Sequence, residues 1–141
     1  MNQSVSELLA EIARLKSKAD KVNALRNHGD FTVKSILQGV FDPRVVWMLP
    51  EGEVPYKPNP LDDQEGVLKT EARRLYLFVK GGNPNLKQLR REALFIELLE
   101  RLDRRDAALM VQVKDKKLPP EMKGLTRDIV FEAFPEFVAE K

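Results

Sequence analysis

Between residues 5 and 41 the apolar positions recur three and four apart, the mark of helices that bury one stripe each. Leu8, Ile12 and Leu15 form the first stripe, behind a Ser4-Val5-Ser6-Glu7 capping box whose two ends satisfy each other's amides. Ser17, with Asp20 three residues on, caps a second short helix through Val22 and Leu25, and Asn27-His28-Gly29 ends it. Asp30 caps a third, whose Val33, Ile36, Leu37 and Val40 repeat at helical spacing. Asp42-Pro43 stops it, because the residue before proline avoids the α region.

The pattern then lapses from about residue 42 to residue 66. Val45 to Leu49 is apolar throughout, and Pro50, Pro55, Pro58 and Pro60 follow, so no helix runs through the segment. It is too apolar for a free linker. It reads as a long connection with Trp47 and Tyr56 plugged into the core; the alternative is a loop that binds a partner.

Helical order returns from Gly66 to Val79, with Leu68, Ala72, Leu75 and Phe78 or Val79 facing inward. Beyond a Lys80-Gly81-Gly82-Asn83-Pro84 turn, Asn85 caps a long helix through Leu86, Leu89, Ala93, Ile96, Leu99 and Leu102. Asp103 to Asp106 opens another, through Ala107, Leu109, Met110 and Val113. Leu118-Pro119-Pro120 breaks the chain, and Gly124-Leu125-Thr126 starts a last helix through Ile129, Val130 and Ala133, closed by Phe134-Pro135. The expected architecture is a single all-α domain over residues 1–141, a bundle of about seven helices too short to stand alone, with one long Pro-rich loop.

Composition narrows the chemistry. One histidine and no cysteine leave no Cys–His pair and no thiolate metal site, and any Ser–His–Asp triad would depend on His28 in its turn. Phosphate-loop, dinucleotide and zinc-helix motifs are missing, so neither an enzyme nor a cofactor is expected. No apolar run approaches a membrane span, and Met1 to Ile12 lacks the layout of a signal peptide, so the expectation is a cytoplasmic protein that does not enter a membrane. A third of the residues are charged, yet the net charge is only +2. A polyanion partner therefore requires the cations to be sorted onto one face.

Two stretches offer such sorting. Lys80, Gly81, Gly82, Asn83, Asn85, Lys87, Arg90 and Arg91 surround the start of the long helix. A helix start presents free amides and partial positive charge, which suit phosphate, whereas three cations there oppose the helix dipole. The same glycines and asparagines also serve as ordinary punctuation of a helical hairpin. Lys114, Lys116 and Lys117 close one helix, and Lys123, Gly124, Thr126 and Arg127 open the next, again pairing a glycine, a capping hydroxyl and cations.

The opening helices with their aromatic and proline-bearing loop, the "VKGGNPNLKQLRREALFIELLERLD" turn and helix, and the closing "LMVQVKDKKL…KGLTRDIVFEAFPEF" resemble a known domain. It is the N-terminal, all-α DNA-binding domain of ATP-dependent DNA ligases carried by large tailed phages. "RRLYLFVKGGNPNLKQLRRE" and "VKDKKLP" also resemble a family of small, free-standing tailed-phage proteins without an assigned activity. The ligase nucleotidyl-transfer signature, lysine-x-aspartate-glycine, is absent, and the glycine that follows the ligases' basic-Asp pair is delayed here to Gly124 by Leu118-Pro119-Pro120. These resemblances imply a ligase-type module produced alone in an infected cell. It would hold the backbone of double-stranded DNA from the minor-groove side with little sequence preference, in phage replication or repair. The alternative, from another class, is a protein-interaction factor that docks on a host or phage replication enzyme through residues 44–60.

Overall fold

Ser4 accepts a hydrogen bond from the Glu7 amide while the Glu7 carboxylate accepts one from the Ser4 amide, and this reciprocal cap opens α1 (Val5–Ala13). Ser17 and Asp30 cap α2 (Lys18–His28) and α3 (Phe31–Phe41) by accepting from the Asp20 and Val33 amides. The computed structural model describes residues 3–61 and 63–137; residues 1, 2, 62 and 138–141 of the expected domain lie outside the described residues. Next come α4 (Val67–Glu71), α5 (Gln88–Arg101), α6 (Arg104–Val113) and α7 (Arg127–Ala133). Among the described residues there are seven α-helices and no strands, and no helix is long and apolar enough to cross a membrane. The all-helical expectation holds.

The stripes meet in one hydrophobic cluster. Leu9, Leu25, Ile36, Leu37, Leu99, Leu109 and Met110 are fully buried in it, each contributing about 1.5–3 kcal/mol against exposure. α1 packs on α6, α2 on α7, α5 on α6, and α3 touches both α6 and α7.

Four local expectations fail. Leu15 lies beyond the end of α1 and is exposed, so Val5, Leu9 and Ile12 form the buried stripe. The helix predicted over 66–79 is α only as far as Glu71, then tightens into a 3-10 helix over Ala72–Phe78. Its inward residues, Leu68, Ala72, Leu75 and Phe78, are nevertheless the predicted ones. Asn85 caps nothing: α5 starts at Gln88 with Lys87 at the N-cap, and Asn83 turns its side chain to the Asn85 amide. Leu89 is 82% exposed, because Arg91 and Phe95 take the inward positions of α5.

Residues 44–61 form a strap across the bundle. It leaves α3 beneath Trp47, whose Nε1 donates to the Gly39 carbonyl at 2.9 Å. An antiparallel bridge joins Trp47 to Val79, with Met48 N donating to Phe78 O and Lys80 N to Val46 O. At its far end Asn59 is buried, donating to Arg101 O and accepting from Arg104 Nε at the α5–α6 corner. Trp47 and Tyr56 pack half-buried against the core, as the connection reading expected.

Candidate nucleic-acid interface

The turn at residues 80–87 is shaped by its own chain path. Gly81 has φ +88°, which side chains rarely adopt. A Cβ on Gly82 would collide with the Tyr76 carbonyl. Arg91, one turn into α5, is only 6% exposed and folds back beneath the turn. Its Nε donates to Leu77 O at 3.0 Å, Nη1 to Gln88 Oε1 at 2.7 Å, and Nη2 to the carbonyls of Asn83 and Leu86. An arginine that opposes the helix dipole thus has a structural return: its fork satisfies carbonyls that the turn leaves open.

Lys87 and Arg90 stay outside, as does Lys80. Lys87 offers no capping side chain and no acid stands in the first turn, so the leading amides of α5 meet no side-chain acceptor. Arg90 makes a long contact to Glu97, 3.8 Å across a solvated surface.

The Lys114–Lys117 cluster divides. Lys114 is buried at the end of α6, with its ammonium donating to Pro50 O, Gly52 O and Asp115 Oδ1 at 2.7–2.9 Å. Asp115 accepts from the Gly52 amide. The Lys114–Asp115 pair therefore clamps the strap. Lys116 adopts φ +59° and donates to Gly39 O and Asp42 O at the C-terminus of α3, where a cation suits the helix dipole. Burial lowers its pKa from the usual lysine value, against the opposing pull of Asp42. Asp42 itself is held down to about 2 by its hydrogen bonds from Arg44. Lys117 alone points outward.

The strap brings these two clusters together. Gln88 Nε2 donates to Met48 O, while Lys114 and Asp115 hold Pro50 and Gly52. Four residues of chain reach at most about 14 Å, so the start of α5 and the end of α6 are near neighbours. Lys123, Gly124, Thr126 and Arg127 lie elsewhere, against α1 and α2. Lys21 Nζ donates to Gly124 O, Thr126 caps α7 through the Ile129 amide, and Arg127 stacks over the Phe131 ring. Lys123 is exposed.

Sequence reasoning missed two cations. Arg73 and Arg74 are exposed on the 3-10 helix just before the turn. A signal was there: with 72, 75 and 78 facing inward, adjacent arginines at 73 and 74 must face water. Among the described residues Arg73, Arg74, Lys80 and Lys87 have no carboxylate within ion-pair distance.

A family of unknown function, DUF6433, matches residues 8–120. The chain belongs to DUF6433. The segment shared with the DUF6433 family includes the strap, the Gly81-Gly82 turn and Lys114 to Lys117, and it ends before Lys123 to Arg127. No curated protein and no solved structure matches the chain.

Proposed function

We propose that the chain is a non-enzymatic DNA-binding module that grips the duplex backbone, from the minor-groove side, without strong sequence preference. The observation that carries this reading is a set of exposed cations without a carboxylate in ion-pair distance among the described residues: Arg73 and Arg74 on the 3-10 helix that leads into the turn, and Lys80 and Lys87 between that helix and the uncapped start of α5. Arg90 follows Lys87 on the first turn of α5, and Lys117 is exposed just past the end of α6. Phosphate contacts would come from these side chains and the leading amides of α5, with Arg91, Lys114 and Lys116 serving as scaffold. Backbone contacts of this kind fix position and carry no base information. The resemblance to the DNA-binding domain of phage ligases agrees with this reading and suggests a role in phage replication or repair.

The test is a titration of an intact duplex at several salt concentrations. Neutralising some four to six phosphates gives a slope of log affinity on log salt of about −4 to −5. Binding that ignores salt, or no binding in dilute buffer, rejects the proposal.

A second reading, docking on a replication protein through residues 44–60, is favoured by a separate observation. Val46 and Met48 on the strap are exposed, and Leu89 is 82% exposed beside Gln88, which bonds Met48. Partners retained from a nuclease-treated lysate, and lost with Leu89→Ser, support docking. Partners that vanish with nuclease were bridged by DNA.

A further inference from the structure

Between α3 and the 3-10 helix lies an open groove of about 240 Å³. Phe31 and Tyr76 line it, 60% and 52% exposed, and Trp47 and Val79 close one end. Single exposed aromatics are ordinary on a protein surface, but two lining one groove whose end holds an indole are a patch. The indole is fixed by its bond to Gly39 O.

Charge and size narrow the occupant. Among the described residues no acidic side chain lines the groove; Arg73 does, and Arg74 is its neighbour in the chain. The carboxylates nearest in sequence are engaged, Asp30 with Lys69, Glu71 with Arg101 and Asp42 with Arg44. Along α3 the lining runs from Phe31 to Gly39, about 12 Å at the helical rise, which gives room for one flat ring and for little more than two turns of a partner helix. Val79 at the closed end is followed directly by Lys80 and the Gly81-Gly82 turn. A ring in the groove thus sits beside the cations proposed for phosphate.

We infer that this groove takes one unstacked base of a DNA strand whose phosphates lie against Arg73, Arg74 and Lys80. The inference rests on the backbone-binding reading and names its substrate class: duplex interrupted by a short single-stranded gap. Aromatic side chains hold unpaired bases by stacking, with a sequence tolerance that backbone binding shares.

The experiment measures affinity for an intact duplex and for the same duplex carrying a short gap, at one low salt concentration, with wild type, Tyr76→Ala and Phe31→Ala. Wild type is expected to favour the gapped duplex on the order of tenfold. Both variants should lose that preference while keeping intact-duplex affinity and the wild-type melting temperature. Trp47, the sole tryptophan, gives a second readout: a single-stranded oligonucleotide should quench its fluorescence in wild type and not in Tyr76→Ala.

Equal affinity for both duplexes, or a preference that survives both substitutions, overturns this inference and leaves backbone binding standing. Binding of the oligonucleotide with no binding of intact duplex removes the backbone reading and keeps the groove. Quenching by an acidic aromatic peptide and not by the oligonucleotide overturns the base site in favour of a protein ligand.

Discussion

Asp106 is fully buried, with Oδ1 accepting the Ser6 amide at 2.8 Å and Oδ2 lacking any partner among the described residues. Burial raises its pKa to about 7, and the Asp103 and Glu7 carboxylates push the same way while the Ser6 and Val5 amides oppose. Arg105, the nearest cation in sequence, is occupied by Glu7. The folded chain therefore holds this proton more tightly than the unfolded chain, whose carboxyl has the ordinary value of 3.8. Stability from this group is complete below about pH 4 and drains away as pH rises through about 7. Asp106→Asn keeps the acceptor for Ser6 and cannot ionise. It should match wild type near pH 4 and exceed it at pH 8 by on the order of 2–4 kcal/mol, read from urea unfolding at the two pH values. Equal pH profiles would show that Asp106 stays ionised in the fold. Arg91 gives the opposite case, a charge whose value lies in its donors. Arg91→Met preserves apolar bulk but strips donors from the carbonyls of Leu77, Asn83 and Leu86. A loss of about 2–4 kcal/mol in urea unfolding is expected, whereas a surface arginine would cost under 0.5.

At the scale of elements, the strap has no regular secondary structure between Pro50 and Asn59 and depends on ties to its neighbours, a buried clamp among them. Lys114 and Asp115 hold Pro50 and Gly52, and Trp47 and Asn59 secure its ends. Lys114→Met removes the ammonium and leaves Asp115 without its cation, a change worth about 3–5 kcal/mol when the pair is buried. Because the side chains of both partners bond the strap and each other, the loss should be local. Limited proteolysis should cut first between Glu51 and Lys57, before the helices become accessible. Cleavage elsewhere first would show that the clamp is not what holds the strap. Legibility in the sequence followed the range of the interaction. The caps at Ser4, Ser17, Asp30 and Thr126 were readable because side chain and amide lie three residues apart. Leu89 was misread because periodicity sees only apolar residues, and the inward register of α5 is set by a charged one, Arg91. Lys114 and Lys116 looked like surface cations because their acceptors, at 39, 42, 50 and 52, are more than sixty residues away. Arg73 and Arg74 are a local case: with 72, 75 and 78 buried, their outward register follows from the same short-range pattern.

For the molecule as a whole, 24 basic and 22 acidic residues leave +2, too little for a general field to draw in a polyanion at physiological salt. Binding must come from local sorting, and that separates the two halves of the basic sequence. Lys80 to Arg90 lie on the face reached by the strap, whereas Lys123 lies with α1 and α2. Two double charge reversals with the same change in net charge test this. Lys87→Glu with Arg90→Glu should weaken duplex binding tenfold or more and make the salt slope shallower by about two, since each phosphate contact contributes close to one. Lys16→Glu with Lys123→Glu should leave both affinity and slope near wild type, because both side chains are exposed away from that face. If the two pairs weaken binding equally, attraction follows total charge and the local footprint is wrong. If only the second pair matters, the DNA surface belongs to α1, α2 and α7, and the Gly81-Gly82 turn is plain chain reversal. Either result is decisive because melting temperature controls for folding in both pairs: among the described residues these four side chains make no ion pair but the long Arg90–Glu97 contact.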